Sequence, residues 1–362
     1  LGIQRSPVEG MVKKDFWDGK KVLITGHTGF KGSWLSRWLV SLGADLYGFA
    51  LEPETEPALF NQLQLEKRIQ QKIGDIRDPK LISEYVSEVK PDIIIHMAAQ
   101  PLVRRSYNEP VYTWQTNVMG TLNLLESIRE ATKTCAVVVV TTDKVYENKE
   151  WNYAYREVDR LGGYDPYSSS KAATELAVNS WRESFFKEKS HIRIATARAG
   201  NVIGGGDYAE DRILPDIARA LHQGRPIEVR NPSAVRPWQH VLEPLSGYLK
   251  LAETLYERDD VKFQSAFNFG PLLSNSDTVE KLVEESIKIW SGTWKDVSDP
   301  NALHETTLLN VSIDKAFTLL NWKPKWDMNY CLKQTIEWYK EQYSGVDPDK
   351  LTLNQIEEYS AS

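Results

Sequence analysis

The sequence predicts an α/β fold: a doubly wound parallel sheet with helices on both faces, followed by a smaller C-terminal α/β part. Three observations predict it. From Lys20 to about Gly200, short β-branched runs alternate with longer amphipathic stretches, the pattern of parallel strands joined by crossover helices. The runs are almost continuously apolar, as strands buried on both faces have to be; Ala136–Val140 is the clearest. The first run ends in glycines spaced three apart and passes directly into a helical pattern.

Taken in order, the candidate strands are Lys21–Thr25, Asp45–Ala50, Asp92–His96, Ala136–Thr141 and Ile192–Ala197, each bounded by polar or turn-forming residues. Between and after them, apolar residues at three-to-four spacing predict helices over Gly32–Ser41, Pro79–Val89, Thr116–Ala131, Ser168–Lys187 and Pro215–Gln223. Beyond Gly200 the strand signal fades, because Gly204–Gly206, Pro226, Pro232 and Pro237 break the chain into short pieces. Helical patterns return at Val279–Trp290, Asp314–Leu320 and Tyr330–Tyr343. The expected organisation is a sheet domain over 15–203 that also takes part of 236–270, and a second domain from 204–235 and 271–362. Residues 1–14 read as a tail, in which 1–10 precede Met11 as an appended segment.

Composition narrows the function classes. Of 362 residues 41% are hydrophobic and 26% charged, enough for a large core. Lysine plus arginine (44) against aspartate plus glutamate (50) gives a net charge of -6, so no global basic surface points to nucleic acid or anionic lipid as a partner. No run approaches the roughly eighteen apolar residues of a membrane span. Cys135 and Cys331 are far apart and read as reduced thiols, which fits a cytoplasmic setting. No cluster with metal-ligand spacing is present, and no metal is expected.

The turn Gly26-His27-Thr28-Gly29-Phe30-Lys31-Gly32 sits between strand and helix, the context of a Rossmann-type dinucleotide site. Glycine allows the tight bend and lets backbone N–H groups approach a pyrophosphate, whose charge the helix N-terminus favours. Lys31 either faces that diphosphate or is a solvated helix-start lysine; His27 either contacts the adenosine side or is a plain turn residue. Further on, Tyr167 and Lys171 are four residues apart, so on a helix they share a face. The ammonium is expected to stabilise phenolate and lower the tyrosine pKa, and to hold a ribose hydroxyl. The strand before that helix ends in Thr141-Thr142-Asp143-Lys144, polar groups at the carboxyl edge of the sheet where open α/β folds bind ligands. Thr142 is read as the hydroxyl that bonds a substrate oxygen, or else as a strand-end cap.

The glycine spacing and the Tyr/Lys pair resemble the extended short-chain dehydrogenases. The strings HTGFKG, TDKVY and RPWQHVLEP resemble, more narrowly, the CDP-glucose branch of their nucleotide-sugar 4,6-dehydratases, and the resemblance runs from Phe16 to Trp326. It implies NAD as cofactor and a nucleotide sugar, CDP-D-glucose, as substrate. It also implies a homodimer or homotetramer built by pairing two helices per subunit. In this reading Asp143 is the acid at C6 and Lys144, where dTDP-glucose relatives carry glutamate, is the base at C5 or a charge partner orienting Asp143. Epimerases of the same family usually have small residues there. By the same resemblance Asp75 and Ile76 hold adenine, Ala98 and Ala99 line the cofactor, and Gln100, Asn201, Arg212, Arg236 and His240 reach the substrate. His96 and Asn117 are expected to be architectural. The family's ribose-binding aspartate has no counterpart: Ala50 stands in its register, with Glu52 within reach only from a shifted loop.

Overall fold

The computed structural model describes residues 12–272, 276–298 and 308–362; the appended segment read at 1–10 lies outside them. Seven parallel strands form the central sheet: β1 (Lys21–Thr25), β2 (Asp45–Ala50), β3 (Gln70–Ile73), β4 (Ile93–His96), β5 (Cys135–Val140), β6 (Ile192–Ala199) and β7 (Ala266–Phe269). Their spatial order is β7-β6-β5-β4-β1-β2-β3, so the direction of winding reverses between β1 and β4. In open α/β sheets that reversal opens a crevice at the strand carboxyl ends. Thr25 lies beside His96 in the register there.

Successive side chains leave a strand on opposite faces, and both faces are buried. Val22, Ile24, Ala136 and Val138 join one core, while Leu23, Val137 and Val139 join the other. The first core is closed by helix α1 (Phe30–Ser41), and the second by α2 (Pro79–Val89), α3 (Gly120–Ser127) and α4 (Pro166–Trp181). Helix α5 (Leu242–Glu257) lies beside α1 on the first face, burying Leu245 and Leu249. Two late helices, α6 (Met328–Tyr343) and α7 (Pro348–Ala361), pack on each other, and α7 packs on α1 through the ion pair of Asp349 with Arg37 at 2.6 Å.

The expected strands and helices are present to within a few residues at their ends, with instructive exceptions. Within the 236–270 segment assigned to the sheet domain, β7 adds an edge beside β6, its four residues too few to stand out as a strand in the sequence. On the opposite edge, β3 was not among the expected strands because Gln70-Gln-Lys-Ile73 is largely solvent-facing and shows no apolar alternation. Helix α5 escaped notice because Pro244 falls in its first turn, where a missing N–H costs nothing. The helix expected over Thr116–Ala131 begins as a wide π turn, Gln115–Met119, before α3. Asn117 in that turn accepts from the Gln100 N–H at 2.8 Å and donates to Ser170 Oγ at 2.9 Å, which ties the turn to α4 and fits its architectural reading.

Candidate active site

The glycine turn closes on itself tightly. Gly26 has φ +79° and donates to Phe49 O at 2.8 Å. A Cβ there would sit 2.7 Å from the Ala98 nitrogen, and one on Gly32 would overlap the Gly26 carbonyl. Only bare backbone fits, so β1, the turn and the start of α1 form a cradle whose N–H groups are not screened by side chains. Gly29 caps α1, Thr28 donates to Leu51 O at 2.8 Å, and Phe30 packs toward Gly204. Lys31, half-buried on the first turn of α1, feels Arg212, Lys171, Lys144 and Asp143. Burial, with the three cations, lowers its ammonium to about 8. It therefore stands toward the catalytic residues and is not a solvated helix-start lysine.

His27 departs from its expected role. Its ring lies fully buried against Gly48, with Nε2 2.7 Å from Gln71 Oε1, and burial lowers its pKa. The imidazole is a spacer between β2 and β3, not a group turned to a ligand. Ala50 ends β2 and is buried, and Glu52 is exposed beyond it. Asp75 is engaged by Arg77 through Nε and Nη2, and that bonding holds its carboxyl below the usual range. Ile76 is buried against Gly120, and Ala98 and Ala99 are half-buried at the end of β4.

At the carboxyl edge of β5 the structure brings the expected catalytic residues together. Thr142 Oγ1 donates to Asp143 Oδ1 at 3.0 Å and hydrogen-bonds the Tyr167 hydroxyl. The Lys144 ammonium is 3.5 Å from Asp143 Oδ1, with Lys144 partly exposed and Asp143 buried. Tyr167 and Lys171 project from the first turns of α4, which Asp165 caps by accepting from Ser168 N. The phenol is not lowered as expected. Burial pushes Tyr167 up to about 12 and Lys171 down to about 8, and Lys171 Nζ donates to Val140 O at 3.2 Å. Both groups are thus driven toward neutrality, with Arg212 and the Thr142 bond acting in the opposite sense on the phenol.

The substrate candidates divide into two groups. The short parallel pairing of Val202–Ile203 with Gln239–His240 sets Asn201 close to the Arg236 segment, which itself pairs antiparallel with 276–278. Arg212 is held by Asp207 at 2.8 Å and acts on Tyr167 and Lys31. Gln100 and His240 are corrected to structural roles. The Gln100 amide is spent on Leu102 N, Leu102 O and Thr113 Oγ1. The His240 ring is buried between Trp34 and Trp326, where burial lowers its pKa to about 3. Sequence reasoning passed over Asp207, the partner of Arg212, and Glu175, which binds Arg198 beneath the site; the acidic residue one turn after Lys171 was the available signal for the second.

The chain matches the family model described as GDP-mannose 4,6 dehydratase over residues 23–335. It is 44% identical over 358 residues to a CDP-glucose 4,6-dehydratase of Salmonella typhimurium, covering 97% of this chain and 99% of the relative. Among solved structures it resembles in fold a UDP-glucose 4-epimerase of Thermotoga maritima (TM-score 0.77, 21% identity, 89% of this chain and 99% of that one). A dTDP-glucose 4,6-dehydratase of Bacillus anthracis in complex with NAD is similar too (TM-score 0.74, 21% identity, 91% and 99%). With the matched region running from the first sheet strand to within α6 and enclosing every catalytic candidate, the chain belongs to the GDP-mannose 4,6 dehydratase family.

Proposed function

We propose that this protein is an NAD-dependent CDP-D-glucose 4,6-dehydratase, converting its substrate to the 4-keto-6-deoxy sugar and water. The observation that carries the reading is the Asp143–Lys144 pair beside Tyr167 and Thr142, acid and base next to an alcohol-oxidising pair. The 44% identity to the Salmonella enzyme supports the cytidine nucleotide. A bare glycine cradle at the start of α1, with Lys31 beside it, fits a dinucleotide pyrophosphate. When bound there, NAD supplies the acceptor for the hydrogen lost from C4 and regained at C6. Ile76, Ala98 and Ala99 line its path, and segments 204–235 and 271–362 supply the substrate-binding part, with Asn201, Arg212 and Arg236 facing the diphosphate.

In this reading Tyr167 accepts the C4 hydroxyl proton while Thr142 holds the oxygen. Arg212 opposes the rise that burial imposes on the phenol. Lys144 takes the C5 proton, acidified by the neighbouring ketone, and Asp143 protonates the hydroxyl that leaves C6. After elimination lysine is charged and aspartate ionised, and their 3.5 Å separation lets the two charges face each other. When hydride returns to C6, the Lys144 ammonium gives its proton back to C5, and the proton Tyr167 took from the C4 hydroxyl is exchanged through solvent for the one Asp143 has lost, so all three groups are reset.

We also propose a homodimer. An apolar groove along Pro110, Val111, Trp114, Val118 and Met119 lies next to α4, whose Leu176 is exposed, as is Phe185 just beyond it. Among the described residues no helix is long and apolar enough to cross a membrane. The test of function offers CDP-, dTDP-, GDP- and UDP-glucose with NAD and follows the 4-keto product by its absorbance in alkali. Turnover of CDP-glucose is expected; turnover of a different nucleotide sugar alone contradicts the substrate.

A further inference from the structure

Helix α4 carries three buried ionisable side chains at four-residue intervals, Tyr167, Lys171 and Glu175, so they stack along one face. The first two belong to the proposed chemistry, while the third is used by no step of it. Its carboxylate is nonetheless fully furnished with donors. Oε1 accepts from Thr141 Oγ1 at 2.5 Å and Arg198 Nε at 3.0 Å, and Oε2 from Thr196 Oγ1 at 2.7 Å and Arg198 Nη2 at 2.9 Å. Burial works against the charge, but these partners outweigh it and hold the carboxyl below its usual range.

The ion pair is oriented. Arg198 turns its remaining N–H groups to Tyr146 Oη at 2.9 Å and Glu157 O at 3.2 Å, away from the catalytic face. Lys171, one turn before Glu175 on the same helix, feels the carboxylate. Three other elements bring titratable groups toward Lys171. Lys31 on α1 adds a like charge, His96 at the end of β4 is kept neutral by burial, and Asp143 follows β5. Glu175 is the anion on the lysine's own helix, anchored so that it cannot turn away.

We propose that Glu175 is a positioning residue: a buried anion one helical turn beyond Lys171 that keeps the Lys171 ammonium charged for its work on cofactor ribose and phenolate. The proposal rests on the functional reading above. Its test is the pH dependence of NAD affinity, read by tryptophan fluorescence from about pH 6 to pH 10, which needs no turnover. In Glu175→Gln the loss of affinity with rising pH should begin about one unit lower than in the native enzyme, the shift expected when a nearby opposite charge is removed. Because that variant leaves Arg198 buried without a counter-ion, the double variant Glu175→Gln/Arg198→Met is measured beside it and should show the same shift. Glu175→Asp, which keeps the charge, should restore the native midpoint. A folded double variant whose midpoint coincides with the native one overturns the proposal. A native protein that binds no NAD at any pH overturns the functional reading itself and the proposal with it.

Discussion

Gly200 lies directly against the Asp143 carboxylate, the proposed acid, and replacing it with alanine isolates what the position of Asp143 contributes. A Cβ at this residue would stand 2.7 Å from Asp143 Oδ2, against 3.4 Å for ordinary contact. Gly200 is not among the glycines with positive φ, so its backbone accepts a side chain without strain. Asp143 must then move by several tenths of an ångström, either toward Lys144 or off Thr142, to which it is bonded at 3.0 Å. A misplacement of about 1 Å typically costs about a hundredfold in rate, so Gly200→Ala should lower kcat by about ten- to a hundredfold. KM for the nucleotide sugar should hardly change, since no diphosphate contact is touched. The loss should fall on elimination: single-turnover absorbance should show reduced cofactor forming at near-native rate and persisting. Thermal unfolding checks that the fold is intact. Native turnover in a folded Gly200→Ala protein would refute the placement of Asp143 at the reacting carbon.

Further outcomes follow from the same geometry. Lys144→Met should slow exchange of the C5 proton with solvent by at least about a hundredfold while leaving C4 oxidation measurable, as monitored by NMR in deuterium oxide. Gly32→Ala, whose added carbon overlaps the Gly26 carbonyl, should abolish measurable NAD binding by fluorescence titration. Glu243 is buried beneath Tyr359, Trp326 and Lys325, and burial raises its carboxyl from 4.5 to about 7. The folded state therefore binds the proton more tightly. The stabilisation is full below about pH 4.5 and is lost as pH climbs through 7, on the order of 3 kcal/mol. Urea unfolding at pH 5 and pH 8 should show that decline in the native chain and not in Glu243→Gln. If the proposed dimer forms through the Pro110–Met119 groove, the native chain should sediment as a dimer and Val111→Asp combined with Trp114→Asp as a monomer; a dimeric variant would place the interface elsewhere, and a monomeric native chain would overturn the dimer.

Where burial on both faces dictated composition, as in Cys135–Val140, the strand could be read from its residues alone. Where a strand runs along a wet edge, as Gln70–Ile73 does, no such signal exists. That the candidate catalytic residues lie together was legible because their spacing is local: a helical turn separates Tyr167 from Lys171, and Thr142 to Lys144 are consecutive. Roles set by tertiary packing were not. The sequence around His27 and His240 looks like a ligand-binding segment, yet Gly48 leaves room for one ring and Trp34 and Trp326 enclose the other. Likewise, nothing local shows that Gln100 will spend its amide on Thr113, or that burial outweighs the neighbouring cation at Tyr167.

The transfer of hydrogen within the substrate is the claim on which the rest stands. CDP-D-glucose carrying deuterium at C4, turned over with unlabelled NAD, should give product with the label in its C6 methyl group and none in the cofactor pool. Label returned only to C4 would show an epimerase-like site, and label lost to solvent would show that C4 and C6 are not linked by one bound cofactor.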